Sequence, residues 1–330
     1  MTWRGAGAGI ALTLLAAPAL AQAPRAASFA DLPGWASEDH AAAFAAFRAT
    51  CGVARDPALA RACERARAAG PLTDAAARSF FEDSFSLDAA SGSGVLTAYF
   101  APEYPARPRP EAEFSAPVRP APANSGPQPE RATIEASPAP DALAWMRPEE
   151  LFFLQVQGSG VLVFPDGRRM KALYAGANGR PYLAIGGPMR ARGLLPGEVS
   201  AGAIRAWLAA HRGPEADAVM RLNPRYGYFR LVPDDGRAPA GSAHIPLPAG
   251  RAVAVDLAFH PMGELLWIDA DKPVLPGAKP AYRRLVVALD TGAAIRGPVR
   301  ADLYLGEGDA AGEEAGLVRH ALRLYRLAPK

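Results

Sequence analysis

Lysine is almost missing from this 330-residue chain. Lys171, Lys272, Lys279 and Lys330 are its only lysines, and arginine carries nearly all the positive charge. The formal net charge is only +3, and no basic run is interleaved with aromatics, which argues against a nucleic-acid surface. Cysteine is scarcer still, with Cys51 and Cys63 alone. Two cysteines without nearby histidines are too few for a zinc site. The histidines His40, His211, His244, His260 and His320 form no i, i+4 pair and no HExxH, and no stretch has the spacing of an EF-hand loop. No metal and no cofactor is therefore expected. Nothing matches GxxxxGK[ST] or G-x-S-x-G, so a phosphate loop and a nucleophile elbow are not indicated. Ser159, in Gly-Ser-Gly, reads more simply as part of a hairpin turn.

Long apolar runs are also absent. The stretch from roughly Ala8 to Ala17 is short of the ~20 residues that a membrane-spanning helix needs. It follows Arg4 and precedes Pro18 and the small-x-small sequence Ala19-Leu20-Ala21, so residues 1–21 read as a cleaved export signal. No cysteine follows it, so a lipid anchor on the outer membrane is not expected. The expected location is a bacterial periplasm. In that oxidising compartment Cys51 and Cys63 are expected to form a disulfide joining two helix-like stretches, contributing about 3 kcal/mol in the chain-entropy picture. A pair of buried free thiols is the alternative.

About half the residues are hydrophobic, enough for two domains or one large one. Apolar residues recur at helical spacing over Glu38–Thr50, Pro57–Ala69 and Thr73–Phe85, with Thr73 as an N-cap. This is a small N-terminal helical unit. From Gly94, GVLTAYFAPEY reads as a strand. A proline-rich passage, Pro102 to Pro148, reads as an extended excursion over the surface. LFFLQVQGSGVLVFPDGRRMKALYAGANGRPYLAIGG (151–187) reads as four strands joined by Gly-Ser-Gly, Asp-Gly and Asn-Gly turns. Helices are expected over Pro196–His211 and Pro214–Leu222, then a strand over Tyr226–Arg230. The block from Gly241 to Lys330 is mostly short strands, and there is no internal repeat. The strand at 94–100 lacks a neighbour unless it pairs with that last block. The chain therefore reads as one discontinuous domain, roughly 28–105 plus 240–330, with residues 106–239 inserted (106–148 proline-rich). A cleft between the two suits a long ligand.

Three aspartates in the last block carry the chemistry. Asp256 stands in GRAVAVDLAFHPMG, Asp290 in RRLVVALDTGAAIRG and Asp302 in VRADLYLGEG. Each reads as lying at a strand end, where an unpaired carboxylate is costly. Asp290 emerges from Leu285–Leu289, a run apolar enough to be buried on both faces. A low-dielectric rim raises a carboxyl pKa and suits a general acid, so either Asp290 or Asp302 qualifies. The alternative is that both accept backbone N–H bonds in the glycine-rich turns beside them.

Together these motifs resemble the A-type lytic murein transglycosylases, the MltA family. The matching stretches are LTAYFAPEY (96–104), FFLQVQGSGVLVFPDGRRMKALYAGANGRPYLAIGG (152–187), NPRYGYFR (223–230) and the three aspartates, covering roughly 90–320. The resemblance implies a mainly β fold with some α: a double-psi β-barrel interrupted by a second β-rich domain, with a groove between them. It implies cleavage of the β-1,4 bond between N-acetylmuramic acid and N-acetylglucosamine in peptidoglycan, leaving 1,6-anhydromuramoyl ends. It implies Asp302 as the catalytic acid and Asp290 as its support, while Asp256, earlier in the segment, is expected to be mainly structural. An ordinary glycosidase needs two carboxylates, but one suffices where the sugar's C6 hydroxyl is the nucleophile. Thr97, Gln157, Gly158, Ser159 and Asn178 are candidates for substrate binding. Tyr99, Tyr174 and Tyr304 can stack on sugars or pack in the core. The expected partner is the peptidoglycan glycan strand, and the protein is expected to be a monomer. The remaining alternatives are a non-catalytic glycan-binding module and a two-carboxylate hydrolase on a similar barrel.

Overall fold

The computed structural model describes residues 28–89, 92–123, 128–197 and 199–330. The expected export signal, residues 1–21, lies outside them. In chain order the α-helices and β-strands are α1 (His40–Thr50), α2 (Pro57–Ala69), α3 (Asp74–Ser84), β1 (Phe85–Ala89), β2 (Gly94–Ala101), β3 (Glu103–Pro105), β4 (Ala116–Val118), α4 (Arg131–Ala136), β5 (Ala144–Met146), α5 (Pro148–Gln157), β6 (Ser159–Val163), β7 (Arg169–Ala177), α6 (Gly186–Ala191), α7 (Ala201–Ala210), α8 (Pro214–Met220), β8 (Gly227–Pro233), β9 (Ala252–Val255), β10 (Leu265–Pro273), β11 (Tyr282–Asp290), β12 (Arg300–Glu307), α9 (Gly308–Gly316) and β13 (Arg319–Pro329).

The first three helices start where the sequence supplies caps. The side chains of Asp39, Asp56 and Thr73 each accept a bond from a first-turn amide. Their inner faces bury Phe44, Phe47 and Phe81 against Trp267 and Leu285 of the main sheet. Cys51, just past α1, is disulfide-bonded to Cys63 in α2.

The main sheet runs β1-β13-β10-β11-β9-β12-β2, and β2 also pairs with β13. That last pairing closes six strands, β2 and β9 to β13 without β1 beyond them, into a barrel. Within it β11–β9 and β12–β2 are parallel pairs. All six strands contribute to one apolar cluster, including Leu96, Val253, Ile268, Val286, Leu303 and Leu324, which fills the barrel. Alternate residues on the same strands, including Tyr99, Ala254, Val287 and Tyr304, face outward into the cluster shared with the helices.

A second sheet, β3-β6-β7-β8, packs with α5 to α8 around its own core. Three expectations need correcting here. LFFLQVQ is helix α5, not a strand. Its flanks decide this: Pro148 opens the helix, Glu149 and Glu150 favour its N-terminal dipole, and Gly158 ends it at φ +86°. The stretch from Tyr182 to Gly187 is not a strand either. The amides of Arg180 and Leu183 bond the side chains of Asn178 and Asn223 and are lost to any ladder. Finally, the proline-rich passage is packed, not merely draped. β4 and β5 pair, and Val118, Ala144 and Met146 join the second core.

Candidate active site

A cavity of about 610 Å³ lies between the outer face of the barrel and the second sheet. Barrel residues on its wall include Tyr99, Ala254, Asp290, Arg300 and Asp302. Across from them stand Gln157, Gly158, Ser159, Tyr174 and Tyr182.

Strand register builds the acidic centre. Asp302 pairs with Thr97 of β2 on one side and with Ala254 of β9 on the other. Ala254 also pairs with Asp290 of β11. Directly paired residues project to the same face of a sheet, so Asp290, Ala254, Asp302 and Thr97 form one row across four strands. The small side chain of Ala254 leaves open space between the two carboxylates. Asp290 joins the row because the register slips between Ala288 and Asp290. Without this bulge it would follow Val286 and Ala288 into the barrel interior. Asp302 is the third residue of β12, not a strand end, whereas Asp290 closes β11 and Asp256 follows β9.

The two carboxylates differ in their surroundings. Asp290 accepts four hydrogen bonds. Its Oδ1 accepts bonds from Ser242 N (2.9 Å), Ser242 Oγ (2.7 Å) and Thr291 N (2.9 Å), and its Oδ2 accepts from the Tyr99 hydroxyl at 2.8 Å. Gly241 permits this grip, since a Cβ there would meet Asp290 Cγ at 3.0 Å and Leu247 Cδ2 at 2.8 Å. Among the described residues Asp302 has one hydrogen-bond donor, the Thr97 hydroxyl, which in turn accepts from Arg300 Nη2 at 2.9 Å. Burial pushes the Asp302 carboxyl above the ordinary aspartate range. Arg300 and Thr97 oppose that shift, and the negative charge of Asp290 adds to it. Burial, reinforced by Asp290, also holds the Tyr99 phenol well above its usual value, so it stays a donor.

The other expected residues separate clearly. Tyr174 is exposed on the wall, and its hydroxyl accepts from Arg225 Nη2 at 3.0 Å. Gln157 Oε1 accepts from Phe100 N at 3.3 Å and ties the second sheet's helix to β2. Tyr304 does not reach the cavity: it is 1% exposed and packs behind Tyr99 at 5.3 Å between ring centroids. Asn178 is buried too. Its amide nitrogen donates to Pro129 O and Pro224 O, and its oxygen accepts from Tyr226 N, so it fixes loops.

Asp256 also lies off the wall. Its carboxylate accepts from Gly297 N at 2.8 Å and Ala258 N at 3.2 Å, and these amides hold its pKa below the ordinary value. A depressed carboxylate contributes stability above its unfolded pKa and loses it as pH falls through the folded one. We expect Asp256→Ala to lower the melting temperature at pH 7 more than it lowers turnover. The gap from the parent protein should shrink below about pH 4. Melting curves at both pH values check this, and a gap independent of pH would argue against the assigned role.

Sequence reasoning missed Arg300, Tyr182 and Ser242. Arg300 was detectable, because it lies two residues before Asp302 on one strand and so shares its face. Tyr182 feels the Asp302 charge across the cavity, and Ser242 reaches Asp290 from a loop. Neither carries a local signal.

Comparisons with known proteins are consistent along the chain. The model of the MltA specific insert domain matches residues 95–230, and that of the 3D domain matches 251–328. Membrane-bound lytic murein transglycosylase A of Escherichia coli K12 is 33% identical over 261 residues, covering 76% of this chain and 70% of that protein. The crystal structure of a membrane-bound lytic murein transglycosylase from Agrobacterium tumefaciens aligns with TM-score 0.79 at 32% identity, over 92% of this chain and 97% of that one. E. coli MltA with bound chitohexaose aligns with TM-score 0.67 at 31% identity, over 82% of each chain.

Proposed function

Because the chain belongs to the MltA family and is a peptidoglycan lytic transglycosylase, we propose that Asp302 cuts the β-1,4 bond between N-acetylmuramic acid and N-acetylglucosamine. The observation that carries this reading is the contrast between the two carboxylates. The Asp302 carboxyl is raised by burial and, among the described residues, has one hydrogen-bond donor, whereas Asp290 accepts four hydrogen bonds.

Protonated Asp302 gives its proton to the glycosidic oxygen, and the bond from that oxygen to C1 of the muramoyl sugar breaks. Positive charge develops at C1 and the ring oxygen. The Asp302 carboxylate then takes the proton of the same sugar's C6 hydroxyl, and O6 bonds to C1. The products are a free 4-hydroxyl and a 1,6-anhydro ring. Asp302 ends protonated and no water is consumed. Burial suits the first half of this cycle. Arg300 and Thr97 suit the second, because they favour the carboxylate once the proton has left. The Asp290 carboxylate adds negative potential near the developing cation.

We read the barrel body (28–105 and 240–330) as a double-psi barrel, and residues 106–239 as the inserted body, with the glycan lying between them. That E. coli MltA binds chitohexaose supports a glycan as the ligand. We place the monomeric enzyme in the periplasm, where murein is found. Mass spectrometry of digested sacculi tests the reaction. The expected product is one water lighter than the hydrolytic one, and a reducing end would overturn the proposal in favour of a hydrolase.

A further inference from the structure

Several arginines in this protein pair with carboxylates. Arg169 pairs with Glu103 and Asp234, Arg212 with Glu149, Arg221 with Glu135, and both Arg283 and Arg323 with Asp269. The cavity wall holds both kinds, paired and unpaired. Arg131 there pairs with Glu135 and Arg296 with Asp256. On the second-sheet side, Arg225 and Arg230 line the wall, and among the described residues neither has a carboxylate within 4.0 Å. Arg225 is held by neutral acceptors only, the Tyr174 hydroxyl at 3.0 Å and Arg180 O at 3.4 Å. These contacts orient its guanidinium without cancelling its charge. Arg230 is exposed on β8, paired in register with Leu173, which lines the same wall. The acidic residues on the cavity wall are Asp290 and Asp302, both supplied by the barrel.

Two guanidinium groups without a carboxylate partner, one of them oriented by Tyr174, beside a glycan-sized cavity suit an anion. The sugars of peptide-bearing murein are neutral, because their amines are N-acetylated and the lactyl carboxyl of muramic acid is tied up in the amide bond to the peptide. Its negative charge resides in the carboxylates of the peptides attached to muramic acid. We propose that Arg225 and Arg230 form a subsite for those peptide carboxylates, so that the enzyme selects glycan whose peptides keep them free. This rests on the murein reading above and adds a specificity determinant to it. The guanidinium fork accepts a carboxylate in bidentate fashion, and the Tyr174 hydroxyl holds one of the two forks in place.

The test compares two substrates: peptide-bearing glycan strands, and the same strands with peptide amines capped and carboxylates converted to amides. The readout is the ratio of their kcat/KM values. The parent protein should favour the free-carboxylate strands by about tenfold, in keeping with a charge-assisted hydrogen bond. That preference should weaken as salt rises. In Arg225→Gln and Arg230→Gln the ratio should fall toward unity, mainly through KM, and Arg230→Lys should restore part of it. Equal losses on both substrates, or an unchanged ratio, would overturn the subsite. If the parent protein releases no anhydro product from either substrate, the proposed reaction fails instead. Binding of the two strand types to Asp302→Asn, with and without the arginine changes, then decides the subsite by itself.

Discussion

Asp302→Asn should lower release of the anhydro product by at least about 10³-fold while glycan binding survives. A general acid–base group commonly contributes about 10²–10⁴-fold, and here one carboxyl serves both halves of the cycle. No neighbour can take over. Asp290 is engaged by Ser242, Thr291 and Tyr99, and Tyr99 is held as a neutral donor. The amide keeps the shape and can still accept from Thr97. Stability should move the other way. Burial raises the Asp302 pKa above its unfolded value, so its favourable contribution is complete below the unfolded pKa. That contribution is lost as pH rises through the folded one. Asparagine has no such titration. The variant should therefore melt at or above the parent temperature at pH 7, with a smaller advantage at pH 4. Near-normal turnover in this variant would move the acid role elsewhere.

The carboxylates were legible from sequence because aspartate beside apolar strand residues is locally conspicuous. What the row depends on was not. Its geometry comes from pairings between residues far apart in the chain, Thr97 with Asp302 and Ala254 with both aspartates. The bulge that turns Asp290 outward leaves no mark in LVVALDTG, since the extra residue is defined only by its partner strand. The helix over Pro148–Gln157 was misread for the opposite reason. Its interior is rich in residues that suit strands, and only its ends, Pro148 and Gly158, indicate a helix. Tyr304 and Asn178 were chosen for residue type, and burial removes both from the cavity. Arg225 and Arg230 went unnoticed because arginine is so common in this chain that charge alone singles out none of them.

Asp290 should separate charge from scaffolding when its two variants are compared. Asp290→Asn keeps an oxygen for Ser242 and Thr291 and an amide for the Tyr99 hydroxyl, which can turn to accept. What it loses is the negative charge that helps keep Asp302 protonated. Its turnover should fall by about tenfold, well short of the loss in Asp302→Asn, with the high-pH limb of kcat moving to lower pH. Asp290→Ala removes the acceptor as well. The buried Tyr99 hydroxyl and the Ser242 and Thr291 amides lose their partner, at a cost of about 1–3 kcal/mol for a buried unsatisfied group. The 240–244 loop then loses both Ser242 bonds to this strand end and keeps the bond from Ala243 N to Leu289 O at 3.0 Å. Its turnover should drop by about 10²-fold, with a clear fall in melting temperature. The pH profile decides between the readings, because a merely structural Asp290 would leave the limb in place in the asparagine variant. If Asp290→Asn were inactive while Asp302→Asn kept turning over, the proton would belong to Asp290 and the roles of the two carboxylates would be exchanged.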